Sequence, residues 1–402
     1  MISSLDEQMQ TPIAKPKRQQ YYAVDIAKFI CAILVVAGHT FPLGTYSEAG
    51  DFLIIQGIAR VVVPFFFLAA AYLFFSHYQP PLPKSWREAG YLWHYIERIG
   101  ILYFFWSIIC YSLIALAYLM NGVGNGSLQF MRSFFAIAAY PWIIVDYAKY
   151  SVISWWQSGM TGPQLTNFIY NIVYTFNQFH LWYFPSLMMG IVIIYALLRR
   201  IRIGWVIAIS AILFLLGTPA DTYYGITVYV PPVRVWVNQY ISMFYTTRNG
   251  VFYATLFISI GAMLAWKNIQ IRKNRSRLIF IISFSLMIVE SQILRYYQIQ
   301  RDYNFYFFAI PAAIFLLLWL KEIKLKENPI YRWLREMSVL VYCSHGVFIF
   351  ILPVVFSRLG FSGFYSNSLI RFANVFLLSL GFSALVFWLE KKPNLGFLRN
   401  LH

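Results

Sequence analysis

Tyr22-Ala-Val-Asp25-Ile-Ala-Lys28-Phe-Ile-Cys31-Ala-Ile-Leu-Val-Val-Ala-Gly-His39-Thr-Phe-Pro-Leu43 is the stretch whose reading decides the fold. A helix that crosses a bilayer needs roughly 17–25 mostly apolar residues, and this run supplies them. Three ionisable residues, Asp25, Lys28 and His39, nevertheless sit among them. A charge inside a membrane is costly, so each is a candidate for function.

Nine further runs of the same kind follow along the chain, at 52–75, 99–120, 180–198, 203–217, 249–266, 278–296, 304–320, 338–356 and 371–389. The expected fold class is therefore all-α: a polytopic integral membrane bundle of about ten transmembrane helices. Composition agrees. Of 402 residues, 60% are hydrophobic and only 12% charged, against about 25% charged in a soluble domain. Mean hydropathy is +0.60. Aromatics reach 20%, as expected where many span ends meet membrane interfaces.

The net charge of +17 invites a nucleic-acid reading, but the positive residues lie in short loops between apolar runs, where they orient a membrane protein. With the N-terminus placed in the cytoplasm, 22 of the 32 Lys and Arg residues fall in inner segments and eight in outer ones, Arg295 and Arg371 being counted with the outer side. Two, Lys28 and Arg60, remain inside spans. Both termini are thus expected to be cytoplasmic, with no nucleic acid among the partners. The tail 1–20 does not read as a signal peptide, because no small-residue cleavage site follows the first apolar run. Residues 21–392 form the expected membrane domain and 393–402 a second cytoplasmic tail. The segment 121–179 reads as a long outer loop, with a possible re-entrant piece at 134–157 interrupted by Pro141, Asp146 and Lys149. Its Trp142, Trp155 and Trp156 suit either interfacial anchors or stacking on sugar rings. Cys31, Cys110 and Cys343 all lie in apolar runs and predict neither disulfides nor a metal site.

The ionisable residues of the spans carry the functional argument. Asp25 and Lys28 share a helix face and can neutralise each other. Lys28 and His39 are eleven residues apart, about three turns, and so lie on one face some 16 Å apart along the axis. Lys28 at the interface could equally snorkel to water, whereas His39 is too deep to do so. Arg60 in the second span must face a protein interior or an anionic ligand. Arg98 opens the third run, His180 and Trp182 the fourth, and Arg248 precedes the sixth. Glu290 lies in the seventh and His345 in the ninth, near Ser338 and Tyr342. His180 and His345 read equally well as structural or as catalytic imidazoles. No nucleotide loop, zinc-protease helix or nucleophile elbow competes. An unperturbed imidazole titrates near working pH, and a neutral one at His39 can take a proton from a hydroxyl that attacks an acyl carbonyl. Buried cations such as Lys28, Arg60 and Arg98 can hold phosphates or an oxyanion.

Asp25-Ile-Ala-Lys28 through Gly38-His39-Thr resembles the first-span signature of the acyltransferase-3 family of membrane acyltransferases. That signature places an Arg where Lys28 stands. Ala59-Arg60-Val-Val-Val-Pro64-Phe-Phe-Phe-Leu-Ala-Ala-Ala-Tyr72 resembles its second-span signature. Arg98 with Tyr103 and Trp106, His180-Leu-Trp182, Arg248-Asn-Gly250 with Gly261, and Ser338 to His345 match later blocks in order. The nearest flavour is the branch containing the enterobacterial common antigen O-acetyltransferase. The resemblance implies transfer of an acyl group, commonly acetyl, from acyl-CoA to a hydroxyl of an envelope glycan or lipid-linked saccharide. It implies a multi-pass protein of the bacterial inner or plasma membrane, with the bilayer as partner and no tightly bound cofactor or metal. By carry-over His39 is the catalytic histidine; Asp25, on the same span, is the second catalytic candidate. Lys28, Arg60 and Arg98 would handle the donor or acyl group. His180, Trp182, Arg248, Glu290 and His345 take acceptor-side or supporting places. Three departures stand out. Lys28 keeps the charge of Arg but loses its bidentate fork. Ala70 and Ala71 replace a usual Ser-Gly, removing a hydroxyl and a site of close backbone approach. Tyr95 stands where a paired arginine would precede Arg98. The competing function is a transporter or export component for a glycan or small polar solute.

Overall fold

A computed structural model describes residues 20–120 and 180–402, apart from 79, 84, 245, 268 and 270. The N-terminal tail as far as residue 19 and the loop 121–179, with Trp142, Trp155 and Trp156, lie outside the described residues.

Helix α1 is Tyr22–Thr40. It stops where Phe41 turns left-handed, with φ 54°, and where Pro42 follows with no N–H to continue the ladder. Ser47 caps α2 (Glu48–Phe52) by accepting from the N–H of Gly50 at 3.0 Å. The chain then runs through a π turn, Leu53–Ile58, and a 3-10 turn, Ala59–Val61, into α3 (Val62–Phe75). Pro64 explains part of this irregularity, because it returns no hydrogen bond to the carbonyl of Arg60. Single π turns inside helices recur at functional sites.

The remaining helices are α4 (Gly90–Met120), α5 (Tyr183–Leu198), α6 (Ile203–Gly217), α7 (Pro231–Phe244), α8 (Ala254–Lys267), α9 (Lys273–Tyr297), α10 (Ala309–Lys321), α11 (Pro329–Arg358), α12 (Ser362–Ser366) and α13 (Ser368–Leu389). Asn328 caps α11 through Ile330 N at 2.9 Å, with Pro329 in its first turn, and Asn367 caps α13 through Leu369 N at 3.1 Å. No strand occurs among the described residues.

Each of the ten expected apolar runs falls on a helix. Among the described residues six helical units are long and apolar enough to cross a membrane: α1, the 48–75 unit, α6 with its 3-10 extension to Ala220, α9, α11 and α13. Helices α5, α8 and α10 are apolar but shorter. Helix α7 was not expected; its polar and apolar residues alternate too closely to read as a span.

The bundle has two packed groups. Helices α3, α5, α6, α8, α9 and α10 enclose the largest core, around Phe65, Phe67, Phe257 and Phe305. Helices α1, α4, α11 and α13 share smaller cores around Trp106, Leu340 and Val341. In lipid, helices gain little from hiding apolar surface from one another, so close fit and small residues decide contact. Gly261 of α8 shows this: a Cβ there would stand 2.7 Å from the Leu68 carbonyl oxygen and 2.7 Å from Ala71 Cβ. The close backbone approach expected to be lost at Ala71 is thus supplied from the facing helix.

Candidate active site

The three short helices place the site. At 1.5 Å per residue, α5, α8 and α10 reach only about 20–24 Å, against roughly 30 Å of hydrocarbon. Each is completed at its N-terminal end by irregular chain. Those segments carry His180 and Trp182, Arg248 and Asn249, and Asp302 and Asn304. Irregular backbone at such depth is tolerated only where it is buried in protein or lines a cavity, and here its polar groups are met by side chains. Asn249 Oδ1 accepts from Val251 N at 2.9 Å and Phe252 N at 3.0 Å, opening α8. The Glu290 carboxylate accepts from Phe307 N at 2.8 Å and Phe308 N at 3.0 Å, opening α10.

A cavity of ≈ 150 Å³ lies between these segments and the C-terminal end of α1. Gly38, His39, Arg60, His180, Trp182 and Arg248 are among its lining, with Tyr253, Asn304 and Tyr342. Three imidazoles meet beside it. His39 stacks on His345, ring centroids 5.4 Å apart, and His345 meets His180 edge-on at 4.8 Å. His180 is fully buried and its Nε2 donates to the Cys343 carbonyl at 3.2 Å. That contact fixes the tautomer, since a carbonyl only accepts. Tyr342 O–H donates to the His180 carbonyl. Gly346 is required here: a Cβ at that position would fall on the His180 ring. His345 Nδ1 lies 3.2 Å from the Val341 carbonyl of its own helix.

The two arginines converge from the other side. Gln56, one turn before Arg60 across the π turn, accepts from Arg60 Nε at 2.6 Å and from its Nη2. Arg60 Nη1 donates to Asn304 Oδ1 at 3.1 Å, and Arg248 Nη1 donates to the same oxygen at 3.3 Å. The Arg248 guanidinium lies over the Trp182 ring, 4.8 Å from its centroid, an arrangement attractive through the ring quadrupole. Asp302 Oδ2 is 3.9 Å from Arg248 Nη1. Asp302 thus adds a carboxylate on the Arg248 side of the pair. Both arginines lie within electrostatic reach of His39. The pocket therefore offers an imidazole, two guanidiniums and aromatic walls, which together suit a reaction that moves a proton and develops negative charge on oxygen.

Other residues singled out from the sequence lie elsewhere. Asp25 precedes His39 by fourteen residues on one helix, about 21 Å of axial rise, so it does not reach the imidazole. It is buried near Lys28 and Arg335. Lys28 sits at that same end of α1. Arg98 is exposed on α4, with Nη2 3.5 Å from the His402 carbonyl oxygen. Tyr95 packs on Phe74, centroids 4.8 Å apart. Glu290 takes the helix-opening role described above and also accepts from Tyr223 O–H. Asn304, Gln56 and Tyr253 were missed, because a search for ionisable residues passes over neutral side chains. Asn304 stood in view as the polar first residue of the expected run 304–320. Cys31, Cys110 and Cys343 are free and buried.

The fold and the pocket define a multi-pass helical membrane protein with a buried histidine–arginine site. The chain belongs to the acyltransferase domain family, whose description matches residues 21–388. It is also similar to two proteins of Enterococcus faecalis described as amino-acid racemases. One is 27% identical over 74% of this chain and 35% of its own length; the other is 25% identical over 92% and 46%. A serine/alanine racemase of Enterococcus gallinarum is 25% identical over 90% of this chain and 45% of its own. The chain spans less than half the length of each of these relatives, so most of each relative lies outside the shared segment. No solved structure matches the chain.

Proposed function

We propose that this membrane acyltransferase moves an acyl group, acetyl in the simplest case, from acyl-CoA to a hydroxyl of a cell-envelope glycan or lipid-linked saccharide. The observation that carries the reading is His39 lining one cavity with Arg60 and Arg248, in a chain of the acyltransferase family. His39 accepts the proton of the acceptor hydroxyl as its oxygen attacks the thioester carbonyl. Arg60 and Arg248 stabilise the resulting oxyanion. The carbon–sulfur bond then breaks, and the CoA thiolate leaves and takes the proton back from the imidazolium. Acyl-CoA acts as a substrate, and the scheme calls for no resident cofactor. General base catalysis of this kind contributes about 10²–10⁴-fold.

The loop-charge bias supports a topology with both termini in the cytoplasm, in the bacterial inner or plasma membrane that the family resemblance implies, and on it the His39 end of α1 faces outward. On this topology Lys28 and Arg98 sit at the inner end, suited to the phosphates of a cytoplasmic donor. The face of α1 from Lys28 to His39 then gives the donor's thioester arm, with the acyl group still attached, a route toward the outer side.

The test uses protein in nanodiscs with radiolabelled acetyl-CoA and an envelope glycan extract. Label should pass to glycan with wild type and be lost in His39→Ala of unchanged folding. Transfer by neither protein across several acyl donors, with solute flux that needs no acyl-CoA, would replace this reading with transport.

A further inference from the structure

Two like charges do not converge beside a buried imidazole unless something holds them. Arg60 and Arg248 are such a pair, and their Nη1 atoms lie 3.1 Å and 3.3 Å from one oxygen, Asn304 Oδ1. The other half of that amide is also engaged. Asn304 Nδ2 donates to Asp221 Oδ2 at 2.8 Å, and Asn304 N donates to Asp221 Oδ1 at 2.9 Å. Asp221 Oδ1 further accepts from Thr222 Oγ1 at 2.9 Å, and that hydroxyl accepts from Phe305 N at 2.7 Å. Asn304, Asp221 and Thr222 are all buried.

The chemistry of the partners removes any ambiguity about which way the amide points. A carboxylate only accepts, so it faces the amide N–H₂; guanidiniums only donate, so they face the amide oxygen. An Asn is the residue type that can do both at once while adding no charge. An Asp in its place would stand against Asp221 and neutralise the arginines. A Leu would leave the buried Asp221 short of partners and remove the one acceptor that both guanidiniums share.

We infer that Asn304 is a positioning residue: its amide, anchored by Asp221, holds the Arg60 and Arg248 guanidiniums together on the cavity so that they act on the same developing charge. The inference deepens the acyl-transfer reading and rests on it for its kinetic part only. Asn304 itself need touch no substrate. Its removal should leave both arginines in place in the chain and loosen where their charges sit, and a misplacement of about 1 Å costs on the order of 10²-fold in rate.

The test uses full-length protein in nanodiscs and two readouts. One is the rate at which phenylglyoxal, a guanidinium-selective reagent, modifies Arg60 and Arg248, followed by peptide mass spectrometry. The other is kcat and KM for acetyl transfer. In Asn304→Ala both arginines should react several-fold faster than in wild type, and kcat should fall about 10²-fold with KM changed far less. Glu290→Gln, which perturbs the same end of the bundle without touching either arginine, should leave their labelling at the wild-type rate. If Asn304→Ala does not accumulate, Asp221→Asn removes the carboxylate that fixes the amide and should raise labelling at the same two arginines. Wild-type labelling rates in the Asn304 or Asp221 variant, or an equal rise in Glu290→Gln, would overturn the inference. Absence of acetyl transfer by wild type would count against the acyltransferase reading alone, since the labelling rates still decide whether Asn304 positions the pair.

Discussion

A single methyl group at residue 346 gives the most direct check on the histidine cluster. An ideal Cβ built on Gly346 stands 2.5 Å from His180 Nδ1 and 2.6 Å from its Nε2. The ring's Cε1 is nearer still, at 2.0 Å; ordinary contact between such atoms needs about 3.5–4 Å, so in Gly346→Ala the ring or the helix must retreat by about 1.5 Å or more. The Nε2···Cys343 carbonyl contact is already 3.2 Å, and a further 1 Å takes it out of hydrogen-bond range. Overpacking costs about 1–3 kcal/mol and the lost buried hydrogen bond about 1 kcal/mol, so about 2–4 kcal/mol in all. Unfolding in mixed micelles of increasing SDS content measures the loss. Acyl transfer should fall as well, by up to about 10²-fold, since the imidazoles beside the cavity shift by the same distance. The clash has one named partner, which makes the argument refutable. His180→Ala removes the ring and should recover much of the stability lost in Gly346→Ala, giving a strongly non-additive pair. Wild-type stability in the Gly346 variant, or strict additivity with His180→Ala, would show that the ring does not press on α11 as described.

Four further outcomes are expected. Arg248→Lys keeps the charge but loses the planar stack on Trp182 and the fork toward Asn304; kcat/KM should drop about 10–100-fold, less than the roughly 10²–10³-fold lost with a whole oxyanion donor, with unfolding unchanged. Glu290→Ala should destabilise by about 3 kcal/mol, because charged hydrogen bonds to Phe307 N, Phe308 N and Tyr223 O–H are lost together, while the folded fraction keeps its kcat. Gly261→Val should destabilise by about 1–3 kcal/mol or more, read in the same SDS titration, as α8 is forced off Leu68 and Ala71. Asp302→Asn removes the carboxylate 3.9 Å from Arg248 Nη1; for so exposed a pair the loss of stability should be about 1 kcal/mol or less, read in the same SDS titration.

Much of the bundle was legible because apolar run length is a direct reading of hydrocarbon thickness. The run 203–217 coincides with α6 residue for residue. The starts at 180, 249 and 304 were set too early by three to five residues, and for one reason. Apolar content continues into those segments, but Asn249 and Glu290 turn the backbone at the openings of α8 and α10, and hydropathy does not register a side chain that caps. The site was half legible. His39, Arg60, His180, Trp182, Arg248 and His345 do meet, since ionisable and aromatic residues at one depth in several spans must find each other. Asp25 and Lys28 drop out of the pocket on axial rise alone, a consequence of their numbering. Asn304 and Gln56 stayed hidden because they are neutral, although they decide where the charges point.

The rarity of charge within a membrane thus marks a region more reliably than a role. Glu290 and Asp221 are acidic, buried and close to the cavity, which by rarity alone would nominate both as catalytic acids or bases. Their hydrogen bonds argue otherwise: Glu290 is occupied by two backbone N–H groups and a tyrosine, and Asp221 by Asn304 and Thr222. These carboxylates answer a problem created by the fold. Stopping α5, α8 and α10 short opens room for a polar cavity, but it also strands backbone donors at a depth where water cannot be assumed. Fixed acceptors must then be built in. Glu290 and Asp221 supply them, and the second also fixes the amide that holds the arginines. His39 differs in kind. It comes near the C-terminal end of a full-length helix, lines the cavity and stacks on His345. The proposed acyl transfer therefore assigns the proton to His39, which lines the cavity with Arg60 and Arg248, and leaves both carboxylates to hold the backbone and the amide.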